Sequence, residues 1–220
     1  MAGPVNTLGR ITTCGIVPVV VIDDWHDAPA LGDALTAGGL PVAEITFRTS
    51  AAVRAIELLA HDSRLTVGAG TVLSPADADR AHHAGAQFIV SPGFDAQVVR
   101  RCRELGVPVI PGVATPSEVM AALRERLGTV KLFPAQPLGG LRWLNALAAP
   151  FPGLRFVPTG GIGAAELAGY ARHPAVAAVG GSWIAPRSLL RSGEFGEITR
   201  LAAEAAAIVA AARQTEGAPA

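Results

Sequence analysis

Residues 42–61 read VAEITFRTSAAVRAIELLAH, and a change of period inside them decides the fold. The first seven residues are strand-like. Side chains alternate along a strand, so Glu44, Thr46 and Arg48 share one face above Val42, while Ala43, Ile45 and Phe47 take the other. From Ser50 the stretch becomes alanine- and leucine-rich with helical spacing. A strand leads directly into a helix.

The same unit recurs along the chain. Strand-like runs are expected at IVPVVVID (16–23), VAEITFR (42–48), TVGAGTV (66–72), FIVSPG (88–93), VPVIPGV (107–113), TVKLFPA (129–135), RFVPTGG (155–161) and AVAAVGGSW (175–183). Helical stretches lie between them and a last one spans 196–213; several open with a capping Ser, Asp or Thr, and two carry proline in the first turn. Eight strand-then-helix units in 220 residues point to an α/β chain folded as a small (β/α)8 barrel. An open doubly wound sheet is the alternative, but no GxGxxG follows the first strand. One domain is expected over 1–220, with a core of about 10–212, a short N-terminal helix at NTLGRITTC (6–14) closing the barrel floor and a flexible tail at 213–220.

Composition narrows the classes of function. Eighteen basic and eighteen acidic residues balance, and the arginines are scattered rather than striped, which argues against nucleic acid as a partner. No apolar run approaches the roughly 18 residues of a membrane span, and MAGPVNTLGR lacks a signal peptide's apolar segment, so a soluble, cytoplasmic chain is expected. Cys14 and Cys102 are too few for a disulfide framework or zinc site and suit a reducing compartment. The five histidines show no ligand spacing. Neither metal nor organic cofactor is expected.

In this architecture reactive groups gather at the carboxyl ends of strands. Lys131 stands in one such strand and is the only lysine beside seventeen arginines. It shares a face with Phe133, opposite Val130 and Leu132. If that face is inward, the ammonium is desolvated, which favours a neutral amine able to attack a ketone; a guanidinium forms no imine. Glu44 and Arg48, roughly 13 Å apart along a regular strand, could act one deep and one at the rim. A buried ion pair and a solvent-exposed arginine are the plainer readings. The paired glycines of PTGGI and VGGSW close the last two strands, and Gly160, Gly161, Gly181 and Ser182 read as a phosphate cradle at the position where such barrels bind phosphate. Thr71 offers a hydroxyl at the mouth.

Taken together, EITFRTSAA, VGAGTVL, GAQFIVSPGF, VPVIPGVATPSE, VKLFPA, RFVPTGGI and GGSW resemble the class I aldolase family acting on 2-keto-3-deoxy-6-phosphogluconate (KDPG) and 2-keto-4-hydroxyglutarate, from about residue 10 to 210. The resemblance implies a homotrimer of barrels, with Lys131 as imine-forming lysine, Glu44 as catalytic glutamate, and Arg48 and Thr71 as substrate contacts. On that reading KDPG is cleaved reversibly to pyruvate and glyceraldehyde 3-phosphate, Arg48 and Thr71 hold the carboxylate, Pro92 and Phe133 wall the imine, and Thr159 and Ser182 bear on the choice of aldehyde. Gln136 departs from the family, whose members often carry an acidic residue there. The galactonate stereoisomer, 4-hydroxy-2-oxoglutarate, a phosphosugar isomerase or epimerase using Glu44 alone, and an idle trimeric scaffold remain as alternatives. Asp23 and Asp24 are expected to cap a helix.

Overall fold

Four of the helices start where the chain supplies its own stop for the first free N–H groups. The computed structural model describes residues 7–214. Within them Ser74 caps α4 (Pro75–His83), Asp95 caps α5 (Ala96–Glu104), and Thr115 with Glu118 forms a capping box on α6 (Pro116–Arg124). Asp24 caps a 3-10 turn at Trp25–Asp27 that leads into α2 (Ala28–Ala37). The remaining helices are α1 (Thr7–Cys14), α3 (Ala52–Ala60), α7 (Gly140–Ala148), α8 (Ala164–Ala171), α9 (Arg187–Ser192) and α10 (Phe195–Gln214). Of these, α9 is unexpected. Its signal is short, a helix-opening Pro186 and Gly193 at φ +70°, where glycine stops a helix cheaply.

The strands are β1 (Ile16–Val20), β2 (Val42–Thr46), β3 (Thr66–Gly70), β4 (Ile89–Val90), β5 (Val109–Ile110), β6 (Gly112–Val113), β7 (Thr129–Leu132), β8 (Arg155–Pro158) and β9 (Val179–Gly181). Among the described residues nine segments replace the expected eight because Pro111, which has no N–H for the ladder, interrupts the fifth. All pairings are parallel. One sheet runs β5-β4-β3-β2-β1-β9 and a second β6-β7-β8, with single parallel bridges at Phe156–Val176 and Thr159–Gly180 between the β8 and β9 regions. The fold is therefore α/β with a curled parallel sheet.

Alternation along the strands sorts two apolar layers. Ala43, Ile45, Val130, Leu132 and Phe156 pack outward against the helices. Val17, Val42, Phe88, Ile110 and Val157 point the other way and form an inner cluster with Ile11 of α1, so the N-terminal helix covers one end of it. Each such Val, Ile or Phe, when fully buried, contributes about 1.5–3 kcal/mol. Gly68 belongs to the same layer: a Cβ there would lie 2.4 Å from the Phe88 ring.

Asp23 does not cap. Arg187 and Arg191 of α9 both donate to its carboxylate, Arg191 Nε at 2.9 Å, and the Arg187 hydrogen bonds chiefly hold the Asp23 pKa down to about 2. The end of β1 is thereby tied to the helix that follows β9. Both cysteines are free, and burial pushes the Cys102 thiol up to about 11. Among the described residues no helix is long and apolar enough to cross a membrane. Arg213 and Gln214 of the expected tail belong to α10, whereas 215–220 and Asn6 lie outside the described residues.

Candidate active site

Lys131 enters the interior from β7 because its neighbours Val130 and Leu132 are claimed by the outer apolar layer. Glu44 does the same from β2, between Ala43 and Ile45. Their side chains meet: Lys131 Nζ lies 3.4 Å from Glu44 Oε1, with the two residues only 5% and 4% exposed. That separation is loose for a hydrogen bond but close for an amine and a carboxyl group removed from water. The Lys131 nitrogen also sits 5.2 Å from the centre of the Phe133 ring, a cation–π distance.

One glycine makes room for this pair and another for the turn beside it. A Cβ on Gly70 would fall 2.1 Å from Glu44 Oε1, so β3 presents bare backbone where the carboxyl group lies. Gly112 pairs with Lys131, and a Cβ there would fall 2.0 Å from the Pro92 carbonyl oxygen. Pro92 is thus pressed against the strand pair that carries the lysine, in a turn closed by Ser91 Oγ donating to Gly93 O at 2.7 Å. Gly70→Ala is expected to displace the Glu44 carboxyl group, lowering turnover about 10²-fold and stability by about 1–3 kcal/mol, as overpacked interiors do. Steady-state kinetics beside thermal unfolding checks both.

Arg48 is not where alternation puts it. β2 ends at Thr46, and the Arg48 N–H donates back to Thr46 O at 2.7 Å, so the residue stands on a turn and its side chain is exposed. The Thr46 hydroxyl, also expected to line the interior, donates instead to Val20 O at 2.9 Å. Thr71 follows the end of β3 with φ +58°, which is costly for a β-branched residue. The neighbouring Val72 N–H, donating to Val90 O at 3.2 Å, helps to hold it there. Arg48 and Thr71 stand past the ends of adjacent strands, whose register pairs Thr46 with Gly70.

The two glycine turns are also side by side. Thr159 bridges Gly180, and a Cβ on Gly180 would lie 2.2 Å from Thr159 Oγ1. Gly160 and Gly161 have φ of +100° and +77°, conformations that favour glycine. Packing alone demands glycine at 181, where a Cβ would meet the Trp183 ring at 2.6 Å, while Ser182 is exposed beside it. Helix α8 begins just past the first turn, with the Gly163 N–H donating to Glu166 Oε2 at 2.9 Å. Gln136 packs against this turn, its N–H donating to Gly160 O at 3.0 Å.

Such an arrangement, an enclosed amine with a carboxyl partner below exposed cation, hydroxyl and glycine turns, suits carbonyl chemistry on an anionic substrate. A family model described as KDPG and KHG aldolase matches residues 8–201. The 2-dehydro-3-deoxy-phosphogluconate aldolase of Treponema pallidum is 45% identical over 195 residues, 88% of this chain and 93% of that protein. The 2-keto-3-deoxy-6-phosphogluconate aldolase of Zymomonas mobilis, solved with 3-phosphoglycerate, superposes with a TM-score of 0.85 at 39% identity, covering 92% of this chain and 95% of that one. The KDPG aldolase of Legionella pneumophila, with pyruvate captured as a covalent carbinolamine, gives a TM-score of 0.85 at 38% identity over 89% of this chain and 96% of that one. With likeness running along nearly the whole chain and through every strand that bears a candidate site residue, this chain belongs to the KDPG and KHG aldolase family.

Proposed function

We propose that the chain is a Schiff-base aldolase, a carbon–carbon lyase that cleaves KDPG reversibly into pyruvate and glyceraldehyde 3-phosphate. The observation that carries this reading is the buried contact of Lys131 with Glu44 at 3.4 Å. A relative that holds pyruvate as a carbinolamine supports it.

Lys131 attacks the C2 ketone, and loss of water gives an iminium. This electron sink accepts the C3–C4 bonding pair as that bond breaks, while the C4 hydroxyl proton leaves and the aldehyde forms. Glu44 supplies the proton that takes water away, receives the C4 hydroxyl proton, and returns a proton to C3 of the enamine. Water then releases pyruvate and restores the amine. Phe133 and Pro92 wall the imine. Arg48 and Thr71 hold the carboxylate, the guanidinium fork being suited to two-point contact. Gly160, Gly161, Gly181 and Ser182 receive the phosphate, and Thr159, next to Gly160 and in a parallel bridge with Gly180, bears on the aldehyde's fit. An isomerase or epimerase would leave the lysine without a task.

The same imine serves 4-hydroxy-2-oxoglutarate, but that substrate would leave the glycine turns empty, so the phosphorylated acid is the preferred one. Assaying pyruvate release from the gluconate and galactonate stereoisomers and from 4-hydroxy-2-oxoglutarate tests this; equal kcat/KM for all three would overturn it. Arg48→Ala is expected to raise KM for the keto acid about 10²-fold, the loss of a charge-assisted pair, as initial-rate kinetics would read.

In the same reading the two sheets close into an eight-unit barrel of one domain, supported by the lone Pro111 between β5 and β6 and the bridge from Thr159 to Gly180. The assembly is a cytoplasmic homotrimer, supported by the exposed apolar side chains Leu73, Met120 and Leu123. Sedimentation equilibrium giving a monomer mass would overturn the trimer.

A further inference from the structure

We propose that Thr49, acting with Thr46, is a positioning residue for Arg48. The inference rests on the assignment of Arg48 to the substrate carboxylate and adds how the chain aims it.

Regular pairing of β1 with β2 reaches only Val20 and Ile45. Beyond that point side chains take over. Thr46 Oγ1 donates to Val20 O at 2.9 Å and Thr49 Oγ1 donates to Ile22 O at 2.5 Å, one hydroxyl on each side of Arg48. On the opposite edge the Phe47 N–H donates to Gly70 O at 2.8 Å, the residue before Thr71. The turn is thus fastened to both neighbouring strands. Thr46 and Phe47 fix the approach to Arg48, while Thr49 ties the chain beyond it to Ile22, just past the end of β1.

Why fasten a turn so firmly around an exposed side chain? The Arg48 guanidinium has no hydrogen bond or ion pair with any other described residue. An arginine loses about 1.5–2 kcal/mol of rotamer freedom when ordered, so affinity depends on how little further searching its backbone allows. A bonded Thr49 removes that search. The arginine then waits beside Thr71, ready to take up a carboxylate.

Thr49 is half-buried but Ile22 is fully buried, so removing the hydroxyl leaves Ile22 O without its donor and lowers stability; the kinetics are therefore read well below the unfolding midpoint of each variant. Thr49→Val keeps the shape and deletes the hydrogen bond. It is expected to raise KM for KDPG about tenfold with kcat changed less than threefold. Thr49→Ser, which keeps the hydroxyl, is expected to restore KM to within about twofold. In an Arg48→Ala background the same Thr49→Val change is expected to add less than about twofold, because the two residues act through one contact. An unchanged KM in Thr49→Val, no rescue by serine, or an undiminished effect in the Arg48→Ala background overturns the inference while leaving the aldolase reading intact. If Arg48→Ala itself leaves KM unchanged, the carboxylate assignment falls and this inference with it.

Discussion

Lys131→Arg is expected to lower KDPG cleavage about 10⁴-fold or more, and to leave no borohydride-reduced pyruvyl adduct at position 131. The substitution keeps a long cationic side chain, so a purely electrostatic role would survive it in part. A guanidinium does not survive as a nucleophile, because it stays protonated and forms no imine. The loss should fall on kcat as well as on kcat/KM, since every turnover passes through the covalent intermediate. Mass spectrometry after borohydride treatment with pyruvate separates the cases, with the parent chain carrying the adduct on the peptide containing residue 131. Because this is the only lysine, competing amines are confined to the chain's N-terminus. Substantial cleavage by Lys131→Arg would end the Schiff-base reading.

Glu44→Gln should follow closely, with kcat reduced about 10²–10⁴-fold. Glutamine fills the same space against Gly70 and still faces the Lys131 nitrogen, but it carries no proton to move. Dehydration of the carbinolamine and protonation of the enamine would both slow. Trapping with borohydride should therefore become sluggish rather than vanish, unlike the lysine variant. Exchange of the pyruvate methyl protons with deuterated water, followed by NMR, isolates the enamine step. Exchange at the parent rate would show that some other group moves the proton.

Much of this candidate site is legible in the sequence alone, for a specific reason. A charge inside a short apolar run has only two faces to choose from, and Val130 and Leu132, or Ala43 and Ile45, leave just one of them for Lys131 or Glu44. Alternation puts Arg48 on the same face only if the strand runs two residues further than it does. No glycine or proline marks the end of β2; what ends it is the Arg48 N–H returning to Thr46 O, together with threonine hydroxyls bonded to the carbonyls of Val20 in β1 and of Ile22 just past it. Those partners are more than twenty residues away, so no local pattern records them. Gly112 is similar. Its need to be glycine arises from the Pro92 carbonyl 2.0 Å from where its Cβ would be, a contact between β6 and the turn that follows β4. Helix α9 was hidden by its six-residue length, too short for a period to emerge.

The first strand of the chain takes the last as its neighbour, Ile16 lying beside Val179. During synthesis β1 must wait for almost the entire protein to emerge before that edge is covered. Bringing such distant segments together carries a loop-closure penalty and slows folding. Chains truncated before residue 179 should therefore leave a bare strand edge, and ribosome-bound fragments of that length are where chaperone protection would matter most.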